Sequence, residues 1–253
     1  MDNERRAFVL GLLTGAGGLG MESACAASVE AGQEGAAPDP SLYIPKAHLV
    51  EDRTFLHDFM DEFAFVDLVT TAPTLRITHT PSVLDRAAGR YGTIFGHVAA
   101  QNLQQHTFDG AHTAIAVFTG PHGYISPSWY AKQDVVPTWN FAVVHASGKP
   151  RAVTGKDAAL ALLSRLIAKF ERAVGGAYDF SKLPESYVAG LLPNIVPFQI
   201  EIEALEGKFK LGQERSEGDR QSILPHLQKQ EYRERSLYDL TEAFYKNLPK
   251  RGA

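Results

Sequence analysis

Between residues 51 and 63 apolar side chains recur every three or four positions: Phe55, Leu56, Phe59, Met60 and Phe63. This spacing predicts an amphipathic helix over Glu51–Phe63 whose stripe is core packing. From Phe65 the period shortens. Short alternating or apolar runs occupy Phe65–Thr71, Arg76–Leu84, Tyr91–Val98, Thr113–Thr119, Trp139–Ala146 and Lys149–Thr154. Turn residues at Ala72-Pro73, Ala88-Gly89 and Asp109-Gly110 separate them, so the series predicts an antiparallel barrel. A short helix is expected over Asn102–His106, after a strand ending near Gly96-His97. The helical period returns over Asp157–Val174, with Leu160, Leu163, Ile167, Phe170 and Val174 on one face and Gly175-Gly176 as its stop. Leu183–Leu191 reads as a second helical piece stopped by Pro193. Pro197–Ala204 alternates as a half-exposed strand, which Lys208–Gln213 continues or turns from. Ser216–Leu224 is helical up to Pro225, and Glu231–Leu248 is a charged helix with Leu237, Leu240, Phe244 and Leu248 on one side.

The N-terminus follows a different rule. A charged start precedes an apolar run, Ala7–Met21, diluted by five glycines, and Ala24-Cys25-Ala26 is an A-x-A-like cleavage signal. The run is too short and too rich in glycine for a stable membrane-spanning helix. Arg5-Arg6-Ala7-Phe8-Val9-Leu10 resembles a twin-arginine export signal, against the alternative of a disordered tail with a chance arginine pair. Residues 1–27 are therefore expected to be a leader and 28–41, small, polar and proline-bearing, a linker. A cleaved leader implies a periplasmic or exported protein with no membrane segment left; without it the protein is cytoplasmic. Cys25, the single cysteine, would leave with the leader.

The chain of 253 residues is 44% hydrophobic, enough for a core, and its formal charge is −4. A nucleic-acid binder usually presents a basic surface, so this balance does not favour a DNA partner. Its most informative stretch is Phe118–Gly148, FTGPHGYISPSWYAKQDVVPTWNFAVVHASG, which holds both tryptophans. The turns at Gly120-Pro121 and Pro137 predict a loop carried between two strands. Its flat side chains and small hydroxyls suit a planar aromatic ligand with polar edges, against the alternative that they plug a barrel end. No GxGxxG or GxxxxGK loop is present, which leaves a barrel cleft as the place for a phosphorylated ligand. His79, His97, His122 and His145 lack metal-ligand spacing and read as structural histidines, with no metal expected. No nucleophile–base pair can be picked out.

The segments GPHGYISPSWY and VPTWNFAVVHASGK, with YIPKAH (Tyr43–His48), FGHVAAQN (Phe95–Asn102) and LEGKFKLGQ (Leu205–Gln213), resemble the PaiB family of FMN-binding negative transcriptional regulators. The resemblance runs from about Tyr43 to Gln230. It implies a β-rich α+β fold, an FMN-binding split β-barrel with flanking helices over 42–215 and a C-terminal helical extension over 216–253. It further implies a homodimer with flavin at the subunit interface. The cofactor contacts it suggests are Thr70 and Thr71 at a strand end, and His97 and Asn102 at a strand-to-helix junction that favours an anion. Ser126, Trp129, Tyr130, Trp139 and Asn140 would line the ring, with Lys208 as a counter-charge. Thr70 and Thr71 as strand filler, and Asn102 as a simple helix cap, remain open. A regulator, an exported flavoprotein, and a flavin-dependent oxidoreductase or haem-handling enzyme are the functional readings.

Overall fold

The computed structural model describes residues 40–130 and 135–229. The leader over 1–27, most of the linker over 28–41 and the helix over Glu231–Leu248 lie outside the described residues. Among the described residues eight strands and four α-helices follow one another in chain order. They are β1 (Leu49–Val50), α1 (Arg53–Glu62), β2 (Phe65–Thr70), β3 (Arg76–Pro81), β4 (Val83–Asp85), β5 (Thr93–Ala99), β6 (Ala114–Ile125), β7 (Thr138–Ala152), α2 (Lys156–Val174), α3 (Glu185–Leu191), β8 (Ile195–Lys210) and α4 (Glu217–Lys229). Among the described residues no helix is long and apolar enough to cross a membrane.

The strands form one antiparallel sheet in the order β3-β2-β6-β7-β8-β5-β4, with β1 added on β8. Its two ends belong to one stretch of chain, since β3 and β4 are separated only by Ser82. The sheet therefore curls until its edges meet, and the chain itself crosses the seam. No backbone ladder joins β3 to β5 among the described residues; the Thr80 hydroxyl reaches the His97 carbonyl instead, at 2.9 Å. The split barrel expected from the sequence is the fold. Its interior holds Val66, Leu68, Ile94, Val98, Phe118, Val144, Phe198, Ile200 and Ile202. α1 caps one end, driving Leu56, Phe59 and Met60 inward as its spacing predicts, with Asp52 capping its first turn through Phe55 N.

Five expectations are corrected. Phe118–Gly148 is not one loop: β6 continues to Ile125, β7 begins at Thr138, and the connection is confined between them. Gly120-Pro121, read as a turn, is absorbed as a bulge between Thr119 and His122, where proline's missing N–H costs no ladder bond. Trp139–Ala146 and Lys149–Thr154 are one strand, β7, bent by a second bulge at Ser147/Gly148. Pro225 does not end the helix expected from Ser216, for α4 runs through it to Lys229. The face that α2 buries is also rotated: Ala159, Leu162 and Leu166 pack inward, whereas Val174 is exposed.

α2 is held against the sheet in two ways. Leu162 and Leu166 pack with Val83 and Phe95. Beside them runs an ionic chain in which Arg86 binds Asp58 and Asp61, Lys169 binds Asp61 at 3.0 Å, and Arg165 binds Asp85 at 3.1 Å.

Candidate functional site

The ten residues singled out by sequence fall into four places. Thr70 and Asn102 come together at one end of β2 and β3. The organiser there is Gln104, wholly buried at 0% exposure. Its amide nitrogen donates to the Leu68 carbonyl (2.9 Å), the Thr70 hydroxyl (3.1 Å) and the Arg76 carbonyl (3.4 Å). Its carbonyl accepts from the Thr78 hydroxyl, which in turn receives the Asn102 amide at 2.8 Å. Asn102 also caps the short 3-10 turn Leu103–Thr107 by accepting from Gln104 N at 2.9 Å. Thr71 follows directly and is exposed. Half-buried Arg76 faces Thr70 across the ladder, and its side chain has no ion pair or hydrogen bond among the described residues.

Ser126, Trp129 and Tyr130 lie elsewhere, under α4. Ile223 packs against Ile125 and Tyr130, and the Trp129 indole stacks on His226 with ring centroids 5.0 Å apart and planes 2° from parallel. The Arg215 guanidinium lies 5.1 Å from the Tyr130 ring centroid. Ser126 caps the turn Pro127–Trp129 and shares a hydroxyl contact with Ser128. These residues hold a helix in place here, in the manner of a plugged barrel end.

Trp139 and Lys208 stand on the outer face of the sheet; Asn140, next along β7, turns inward and is buried. Trp139 is 44% exposed and packs near His122 and Tyr124. Lys208 donates to the Tyr43 carbonyl at 2.7 Å and sits between the rings of Tyr43 and Phe141. The segment at Tyr43 is pinned nearby by Ser41, which donates through its N–H and its hydroxyl to Glu206 and contacts His145 Nδ1 at 2.9 Å. The same outer face carries Phe65 at 66% and Ile77 at 55% exposure, on the strands that lead to the Gln104 cluster.

His97 is the residue the fold sets apart. It lies on β5 under α2, in the wall of a separate cavity, and not beside Asn102's network. Burial lowers its pKa from the usual 6.5.

The sequence reading passed over Gln104 and Arg215. Gln104 follows the cap residue Asn102 by two positions, but a buried glutamine leaves no periodic trace. Arg215 gives no signal until α4 is seen to turn back over Tyr130.

The donor set at the end of β2–β3 suits a phosphate, and the flat outer face suits a conjugated ring; FMN needs both. Comparison with known proteins bears on this directly. A family model described as "Putative FMN-binding domain" matches residues 42–204. The Bacillus subtilis "Protease synthase and sporulation protein PAI 2" is 34% identical over 191 residues, covering 75% of this chain and 91% of that protein. An uncharacterized protein of Aspergillus fumigatus is 29% identical, covering 74% and 91%. Among solved structures, an FAD and haem binding protein from Mycobacterium smegmatis aligns with a TM-score of 0.45 at 13% identity, over 64% of this chain and 73% of that one.

Proposed function

The chain belongs to the FMN-binding domain family, and on that premise we propose that it is a homodimeric flavoprotein whose cofactor lies along the outer face of the sheet. FMN is its cofactor. The observation that carries the placement is Arg76, which faces Thr70 across the β2–β3 ladder and has no side-chain partner among the described residues, at the strand end that holds the Asn102–Thr78–Gln104 network. Arg76 supplies a charge and the exposed Thr71 a hydroxyl for a phosphate to take, next to the network that fixes the strand end. The ring then extends over the exposed apolar surface of β2, β3, β6 and β7, where Trp139 and Ile77 stand. A second copy of the chain covers it, since one sheet face offers a flat ring only one wall. Bound flavin supplies redox chemistry; the protein's part is to hold the phosphate, lay the ring flat and exclude water.

The absorbance spectrum of the purified protein tests the reading, because a flavin band and a Soret band are distinct. Protein that lacks the flavin band, and whose melting temperature does not rise in excess FMN, rules it out. Arg76→Ala is expected to raise the Kd for FMN roughly tenfold to a hundredfold, the loss of one charge-assisted interaction. The melting temperature of the FMN-free protein should not change, because Arg76's side chain supports nothing else.

The working place of this flavoprotein is outside the cytoplasm, a reading supported by Arg5-Arg6 and the apolar run after it. Cell fractionation of the wild type and of an Arg5→Lys/Arg6→Lys variant decides it. Retention of both in the cytoplasm would return the choice to a regulator.

A further inference from the structure

α2 does not lie flush on the sheet. Between it and the β3–β5 seam is a cavity of about 380 Å³ lined by Pro81, His97, Ile167, Phe170, Glu171 and Tyr178. The walls are apolar or aromatic except at two points. One is the His97 imidazole, whose Nδ1 is buried and has no hydrogen-bond partner in the protein. That nitrogen is closed to water, so it is the part of the ring that lines the cavity, and not Nδ1, that a ligand reaches. The other is Glu171. One of its carboxylate oxygens accepts from Tyr178 N at 3.0 Å, and the other has no partner among the described residues.

We propose that this cavity is a second ligand site, separate from the flavin face, for a small arylalkylamine bearing a ring hydroxyl. The aromatic ring fills the space by Phe170 and Tyr178, the hydroxyl meets the His97 imidazole, and the ammonium meets the Glu171 carboxylate. The size is right for a single-ring molecule with a short arm, at the lower end of small-molecule pockets. Burial keeps His97 neutral near pH 7, so the ring has a lone pair for a hydroxyl donor and no charge to repel an ammonium. Lys169, two positions before Glu171 on α2, is already committed to Asp61. The seam bond from Thr80 to the His97 carbonyl fixes the backbone beneath the imidazole, so the polar floor is preorganised.

The site reads out on its own residue. The full-length, FMN-loaded protein labelled with 15N-histidine is titrated with tyramine, and the imidazole nitrogens of His97, assigned by their loss in His97→Gln, are followed by NMR. The expected result is a saturable shift with a Kd of about 1 mM or below, as befits a ligand of this size. Phenethylamine, which lacks the hydroxyl, should bind roughly tenfold more weakly or worse. Ile167→Trp, which fills the cavity from the helix side, should abolish the shift and leave the flavin spectrum intact. No saturable shift in the wild type, or an undiminished one in Ile167→Trp, overturns the proposal. Neither result touches the FMN reading, which is scored on the flavin band of the same samples.

Discussion

Gln104 shows what one buried amide can do. It ties the end of β2 to the start of β3 and to the turn after β5, and its bonds to Leu68 and Thr70 are fully buried. Gln104→Leu keeps the volume and deletes the bonds, stranding two hydroxyls and two carbonyls. The expected cost is about 2–4 kcal/mol in urea unfolding, with weaker FMN binding; a cost below about 1 kcal/mol would mean water replaces the amide. His97 and His145 act on stability in the opposite sense from a paired histidine. Burial holds both below the usual 6.5, in His145 against the pull of Glu206. The unfolded chain therefore takes up protons first as pH falls through 6.5, and the fold loses stability from there down to the folded values. The urea midpoint should be flat above about pH 7.5 and fall toward about pH 5.5, with a shallower fall in His97→Phe. Thr70 and Asn102 could be nominated from sequence because they fall in segments that resemble a known family. Gln104 could not, because hydrogen bonds between positions 36 apart in the chain have no signature in it.

Helix and strand identities were legible wherever a period persisted, as in α1 and most of the strands. What failed was punctuation. Gly120-Pro121 and Ser147-Gly148 look like chain reversals, and inside a curled sheet they are bulges that let β6 and β7 bend without stopping. At Gly148 the reason for glycine is steric: a Cβ there would collide with the Glu201 carbonyl oxygen on β8. Gly148→Ala should cost about 3 kcal/mol or prevent folding, seen as a lowered urea midpoint or as insoluble protein. Gly120 answers to Phe59 in the same way, since a Cβ would stand 2.5 Å from its ring. The rotated face of α2 has a different origin. Its sequence is apolar on more than half its circumference, and the seam and the ionic chain through Asp61 and Asp85 choose which part faces inward.

At the scale of the whole molecule, the outer sheet face is the feature that pattern alone could not deliver, since alternation tells in from out only when one side is wet. Here both sides of β2, β3 and β7 carry apolar residues: Val66 and Leu68 within, Phe65, Ile77 and Trp139 without. Exposed apolar side chains clustered on one sheet face support the proposed interface with a second copy. Ile77→Asp places a charge in its middle and is expected to shift the protein from dimer to monomer in light scattering, with loss of FMN from the isolated monomer. A dimer that survives with its flavin would place the interface elsewhere.

The passage from β3 to β4 through Ser82 has a topological meaning. The wall's circumference is completed by a covalent stretch of chain and a hydroxyl, with no rung of paired amides across the join. A backbone break at Ser82 would turn a tube into a ribbon with two free edges. A break at Gly175, beyond α2, leaves every rung of the tube in place. Two cuts of equal chemistry would thus have unequal results, one topological and one trivial.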